Sequence, residues 1–313
     1  RITGINLVYS RYNDIARNEV QRNTEFGMNL TSSGRNNISE NIIINNGVGI
    51  YLDDSGYNII TGNSINYNIG RGILLSDSTI SYWDSTSSNY NTVSRNTINN
   101  NGGSGIYFSN SYYHKGSSNT ISGNTINNNR GNGIYLGYCD YNFVSGNTIN
   151  NNNGNGIELR YSDHSGISGN SIDNNSGNGI YLSICKYTSV SGNNITNNIN
   201  GGIRVMSNDY YDEWMSSYSY NTITGNMVKN SYIGIYIFDN YYSDVAGNTV
   251  NNSNIGIKIV DGKHNDITGN EVHHNTEYGI YLEKSDWNTI QTNAITNSPV
   301  GIYLLYSYNT RIS

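Results

Sequence analysis

Asp140, Asp163 and Lys186 recur at intervals of 23 residues, with Glu158, Arg160, His164 and Arg204 between or beside them. Two carboxyl groups about 5 Å apart suit a retaining glycosidase, in which one attacks the sugar and the other moves the proton. A wider pair, such as Glu158 with Asp140 or Asp163, leaves room for the water of an inverting reaction. Close like charges also raise one pKa of the pair, which makes a proton donor. For β-elimination from a uronic acid the parts differ: Lys186, Arg160 or His164 removes the proton while a cation or Arg neutralises the carboxylate. Asp140, Glu158, Asp163, His164 and Lys186 are therefore the candidate catalytic groups. The same residues also fit an exposed charge ladder, in which a pair contributes only about 0–1 kcal/mol.

Residues 23 apart meet only if the chain coils. Gly-Ile, once Gly-Met, recurs at Gly4, Gly27, Gly49, Gly72, Gly105, Gly133, Gly156, Gly179, Gly202, Gly234, Gly256, Gly279 and Gly301. Most intervals are 22 or 23 residues, and three are longer. Within each unit, apolar and polar residues alternate over about three short stretches separated by Asn and Gly, the period of half-buried strands. Nothing repeats at helical spacing. A unit this small cannot bury its apolar side alone and must stack on copies of itself. The expected fold is all-β: a single-stranded, right-handed parallel β-helix, a solenoid of about 13 turns with three strands each. It forms one domain over residues 1–313. The single Pro fits, because almost every backbone N–H must serve a ladder.

Asn is the commonest residue, with 59 copies. One Asn column is unbroken, from Asn18 and Asn41 through Asn147 and Asn170 to Asn293. Stacked amides can bond to one another and to the turn backbone, so this column is expected to be a structural ladder. Cys139 and Cys185 share a column with Ser162 between them, and two turns place them nearly 10 Å apart. That is too far for a disulfide, so both are expected to be small inward thiols.

Departures from the copy mark candidate function. Insertions near 77–90, 109–118 and 207–219 all follow the Gly-Ile-x-Leu strand and so project from one edge. They carry Tyr112, Tyr113, Tyr210, Tyr211 and Trp214. Aromatic walls about 19 Å apart at the strand spacing suit stacking on sugar rings. Between them, the outward position after Gly-Ile, usually Tyr as in Tyr135 and Tyr181, becomes Glu158 and Arg204. With Arg160, Tyr138 and Tyr161 these residues make the expected substrate-binding surface. Asp53, Asp54 and Asp77 lie in adjacent turns and offer oxygen ligands for calcium, or else a solvated corner. His264, His273 and His274 lack zinc or copper ligand spacing.

A formal net charge of -6 argues against a nucleic-acid groove. No apolar run approaches the roughly 20 residues of a membrane-spanning helix. Neither end shows a capping repeat, which solenoids require, so a fragment of a longer protein with flanking domains is expected.

The repeat Asn-x-Ile-x-x-Asn…Gly-x-Gly-Ile-x-Leu-x-x-Ser-x-x-Asn-x-Ile-x-Gly-Asn resembles the right-handed β-helix family of carbohydrate-binding proteins and sugar hydrolases. It is most similar to the branch found in methanogen surface proteins and periplasmic copper-binding proteins, including disaggregatase-like chains. The resemblance spans essentially the whole chain and implies a polysaccharide partner and an extracellular or cell-surface location. Tyr161-Ser162-Asp163-His164 partly resembles the Tyr…Asp…His signature of β-helix alginate epimerases, without its Pro and following acid. The expected function is to bind and degrade an extracellular polysaccharide, as a glycoside hydrolase or a polysaccharide lyase. The alternative is a non-catalytic adhesin or glycan-binding wall module. An ice-binding rod is a third reading, but only Thr97, Thr125, Thr148 and a few relatives form the Thr column it needs.

Overall fold

The computed structural model describes residues 1–76, 88–110, 118–207 and 218–313. The three expected insertions fall largely outside the described residues. They interrupt the chain after the strands Ile73–Ser76, Ile106–Ser109 and Gly201–Met206, always between the first and second strand of a turn. By contacts the chain divides into two compact units, Arg1–Ile157 and Glu158–Ser313.

Each unit is a parallel β-solenoid with three strands per turn. In the first unit, Met28, Ile50, Ile73, Ile106 and Ile134 are register partners along the first sheet. Ile38, Ile60, Val93, Ile121 and Val144 align along the second. Ile43, Ile65, Ile98, Ile126 and Ile149 align along the third. All of them are fully buried. The second unit repeats the plan with Ile180, Ile203, Ile235, Ile257 and Ile280 in its first sheet. Among the described residues there are 13, 13 and 12 strands in the three positions, so about twelve turns are complete rather than thirteen. No helix there is long and apolar enough to cross a membrane.

Apart from the two-residue Arg311–Ile312, the second and third strands of a turn are three residues long, as in Ser189–Ser191 and Asn194–Thr196. Each holds one inward apolar residue between two outward ones. Left-handed residues make the corners between strands: Ile184 at φ 56°, Tyr187 at 53°, Gly192 at 62° and Asn197 at 56° in a single turn. Asn and Gly meet part of that demand, while more of the Asn serve buried ladders instead. The Gly of Gly-Ile answers to a different constraint, close approach. A Cβ on Gly202 would lie 2.5 Å from the carbonyl oxygen of Gly234 in the next turn and closer still to Val228 Cγ1.

The Asn column is a buried ladder. Asn226 Oδ1 accepts the backbone N–H of Asn193 at 3.0 Å, and Asn226 Nδ2 donates to Asn248 Oδ1 and to the Val190 carbonyl, both at 2.9 Å. Two further rows flank it, one through Asn46, Asn68, Asn101 and Asn129, the other through Asn36, Asn58, Asn91 and Asn119. In the second unit the latter row changes residue without losing its bonds. Thr188 N–H donates to Asn221 Oδ1 at 2.9 Å and Asn221 N–H to Ser243 Oγ at 3.0 Å. Cys139 and Cys185 are buried inward thiols, as expected.

Candidate functional site

Alternation along the first strand turns one residue outward between two buried ones, so each turn contributes one side chain to an outer column. In the second unit that column starts with Glu158 and continues through Tyr181, Arg204, Tyr236, Lys258, Tyr281 and Tyr303, the last six being successive register partners. The Arg204 guanidinium lies 5.9 Å from the Tyr181 ring and 5.1 Å from the Tyr236 ring. Lys258 Nζ lies 5.9 Å from the Tyr236 ring and 4.8 Å from that of Tyr281. Tyr281 stacks on Tyr303 at 5.4 Å. Ring faces are thus taken up by neighbouring rings and cations, while the Tyr281 hydroxyl donates to Glu283 and the Tyr181 hydroxyl to Met206 Sδ.

Burial raises the Tyr236 phenol pKa against the pull of Arg204, with Asp261 and Glu283 adding to the rise. The Tyr281 phenol is pushed up to about 12, by burial first and then by its hydrogen bond to Glu283. Both phenols are proton-bearing donors at neutral pH.

The first unit carries Asn29, Tyr51, Leu74, Tyr107 and Tyr135 at the equivalent positions. There Phe26 stacks on Tyr51 at 4.8 Å and Tyr107 on Tyr135 at 4.5 Å. Arg71 sits 3.9 Å from the Tyr107 ring.

Of the expected catalytic residues, Asp163, His164 and Lys186 meet at one corner of the second unit. Asp163 Oδ1 accepts the Lys186 backbone N–H at 2.8 Å, and the Lys186 carbonyl accepts the His164 N–H at 2.9 Å. The exposed His164 ring stacks on Tyr187 at 4.9 Å. Glu158 is half-buried in the strand Ile157–Arg160, and exposed Arg160 reaches over the Tyr161 ring at 5.5 Å. Asp140 belongs to the first unit, where it is buried and its carbonyl accepts the Ser118 N–H at 3.2 Å. Tyr138 and Tyr135, both half-buried, also lie there. Tyr112, Tyr113, Tyr210, Tyr211, Trp214 and Asp77 lie outside the described residues. Asp53 and Asp54 are buried, and their charges help raise the pKa of the Tyr51 phenol behind the effect of its burial. Among the described residues no group of three His, Cys, Asp or Glu is placed to hold a metal ion.

Other groups are not anticipated from the insertions. Burial, then the charge of Asp261 in the next turn, raises the Asp239 carboxyl above its ordinary range. Asp244 is raised in the same way by burial and by its register partner Asp266. Their signal in the sequence is a 22-residue spacing between like acids, away from any long loop.

The sequence places His164 in a column of Tyr, but the stacking of that outward row is not anticipated. His164, Tyr187, Tyr220, Tyr242, His264 and Trp287 occupy left-handed corners in consecutive turns. Their rings stack continuously, with centroids 4.8 to 6.3 Å apart.

Comparison with known proteins agrees with this geometry. The model of the right-handed β-helix region matches residues 2–115, 84–212 and 207–313. No curated protein matches the chain. Among solved structures, the mannuronan C-5 epimerase AlgE4 A-module of Azotobacter vinelandii is similar with a TM-score of 0.65 and 12% identity, over 93% of this chain and 91% of that one. The catalytic unit of a thermostable GH87 α-1,3-glucanase from Streptomyces thermodiastaticus strain HF3-3 gives 0.69 and 13%, over 96% of this chain and 62% of that one. The Dettilon tailspike protein gives 0.62 and 16%, over 94% and 61%. At such identities the likeness is one of fold.

Proposed function

From the premise that the chain belongs to the right-handed β-helix family, we propose that it binds and cleaves a polysaccharide outside the cell. The observation that carries this reading is the outer column Tyr181–Arg204–Tyr236–Lys258–Tyr281–Tyr303. Phenol hydroxyls and cations repeating once per turn match a polymer that repeats its own hydroxyls. Similar folds named for acting on mannuronan and on α-1,3-glucan support the same class of substrate. Hydrolysis is assigned to Glu158 with Asp163 in the second unit, and Asp140 is a separate candidate within the first. Lys186 and His164 serve proton transfer, and Arg160, Tyr161, Tyr181 and Arg204 hold the sugar. Tyr135 and Tyr138 are the candidate sugar-binding residues of the first unit, and Tyr112, Tyr113, Tyr210, Tyr211 and Trp214 on the insertions are candidate aromatic contacts.

One observation favours the non-catalytic module. The Asp163 carboxylate caps the Lys186 N–H, and Asp286 caps the Tyr308 N–H in the same way at 2.8 Å. A group engaged in holding a corner is less available for chemistry.

The two readings separate in a reducing-end assay on extracellular polymers, with absorbance of unsaturated uronate reporting elimination. The Glu158→Gln, Asp140→Asn and Asp163→Asn variants are each expected to lose turnover with unchanged melting. Full activity in all three moves the chemistry elsewhere. Binding by the unaltered chain with no new ends leaves a glycan-binding module.

A further inference from the structure

We propose that the outer column of the second unit selects anionic polysaccharide, with Arg204 and Lys258 each engaging a carboxylate or sulfate on the polymer. This deepens, and rests on, the polysaccharide reading above.

The two cations occupy alternate turns with Tyr236 between them. At the strand spacing they stand roughly 10 Å apart. Arg204 is held by the Tyr181 and Tyr236 rings and by a 3.1 Å hydrogen bond from its Nε to Met206 Sδ. Lys258 is held by the Tyr236 and Tyr281 rings. Neither is ion-paired among the described residues. A ring quadrupole orients a cation without neutralising it, so both positive charges remain available. Both side chains are only half-buried, which leaves a ligand a way in. Glu283, one column over, accepts the Tyr281 hydroxyl at 3.2 Å.

In extended 1,4-linked polymers a sugar is close to one strand spacing in length, and alternate sugars present their acid groups on the same side. Cations in alternate turns fit that periodicity. The equivalent column of the first unit, Asn29, Tyr51, Leu74, Tyr107 and Tyr135, has no cation at its own positions, and a single one, Arg71, reaches it over the Tyr107 ring. The chain as a whole is acidic, at -6, and would repel a polyanion. Any affinity for one must therefore come from a local site.

The experiment is titration calorimetry of the full chain with polymannuronate, with the same polymer after carboxyl reduction, and with dextran sulfate against dextran. Tight binding to a charged polymer is expected, with at least about tenfold loss on the neutral counterpart. Lys258→Met and Arg204→Met are each expected to weaken it about tenfold and to flatten its salt dependence. Lys229→Met, on the third sheet, is expected to leave it unchanged. Binding of the carboxylated polymer alone assigns uronate, and binding of the sulfated one alone assigns sulfate. Equal affinity for charged and neutral partners overturns the charge selection and leaves the polysaccharide reading standing. Equal loss in the Lys229 variant also overturns it, since bulk charge then decides. Binding to none of the four overturns both.

Discussion

Asn226 and Arg204 both belong to columns that repeat once per turn, yet one column is monotonous and the other is not. Inside, Asn170, Asn193, Asn226, Asn248 and Asn270 are the same residue in successive turns. Outside, Tyr, Arg and Lys follow one another. The amide explains the contrast. It carries both a donor and an acceptor, so an identical neighbour above and below satisfies each copy where burial shuts out bulk solvent. An outward side chain has water as an alternative and answers to whatever binds there. Repetition in this molecule therefore marks structure, and variation marks surface chemistry.

The largest effect that would test this contrast is on the ladder. Asn226→Ala leaves the buried Asn193 N–H without its acceptor and takes away the amide donor to Asn248 Oδ1 and to the Val190 carbonyl. At about 1–3 kcal/mol for each orphaned group, a loss of roughly 3 kcal/mol is expected in urea or thermal unfolding. A loss under about 1 kcal/mol would mean that water enters the corner and the ladder is dispensable. Next comes Gly202→Ala, two residues from Arg204 but facing the neighbouring turn. Its Cβ meets Gly234 O and Val228, and overpacking of this kind costs about 1–3 kcal/mol. Tyr236→Leu, in the outer column, removes a ring faced by two cations and is expected to cost only about 1 kcal/mol. An outer change that costs more than the Asn226 change would break the contrast.

The strand frame is legible in the sequence because inward residues answer to a single constraint, the copy in the next turn. Gly-Ile, the Asn column and the inward Cys139 and Cys185 all follow from it. The meeting of Asp163 with Lys186 is legible for the same reason, 23 residues being one turn. The stacking of the aromatic corner row is not. Tyr187, Tyr220 and Tyr242 adopt positive φ where Asn or Gly is the less costly choice, and only the stacked rings show what offsets that cost. Asp239 and Asp261 share the period too, but their significance comes from burial, which spacing alone does not report.

That acid pair gives the smallest and most discriminating test, because it has the ladder's geometry with the opposite chemistry. A carboxylate only accepts, so a second one in the next turn repels where a second amide would bond. The Asp239 pKa is raised in the folded protein, first by burial and then by Asp261. The native state therefore binds that proton more tightly than the unfolded chain does. The stability this contributes is fully present below the ordinary value of 3.8 and is lost as pH rises through the raised folded value. Asp239→Asn removes the ionised burden. The variant is expected to melt slightly higher than the unaltered chain at pH 7, with the difference shrinking as pH falls toward 3.8. A variant that melts lower at pH 7 would show that the Asp239 carboxylate has a partner that values its charge. Stacking like residues would then be favourable on the outside as well, and the distinction between amide and acid columns would fail.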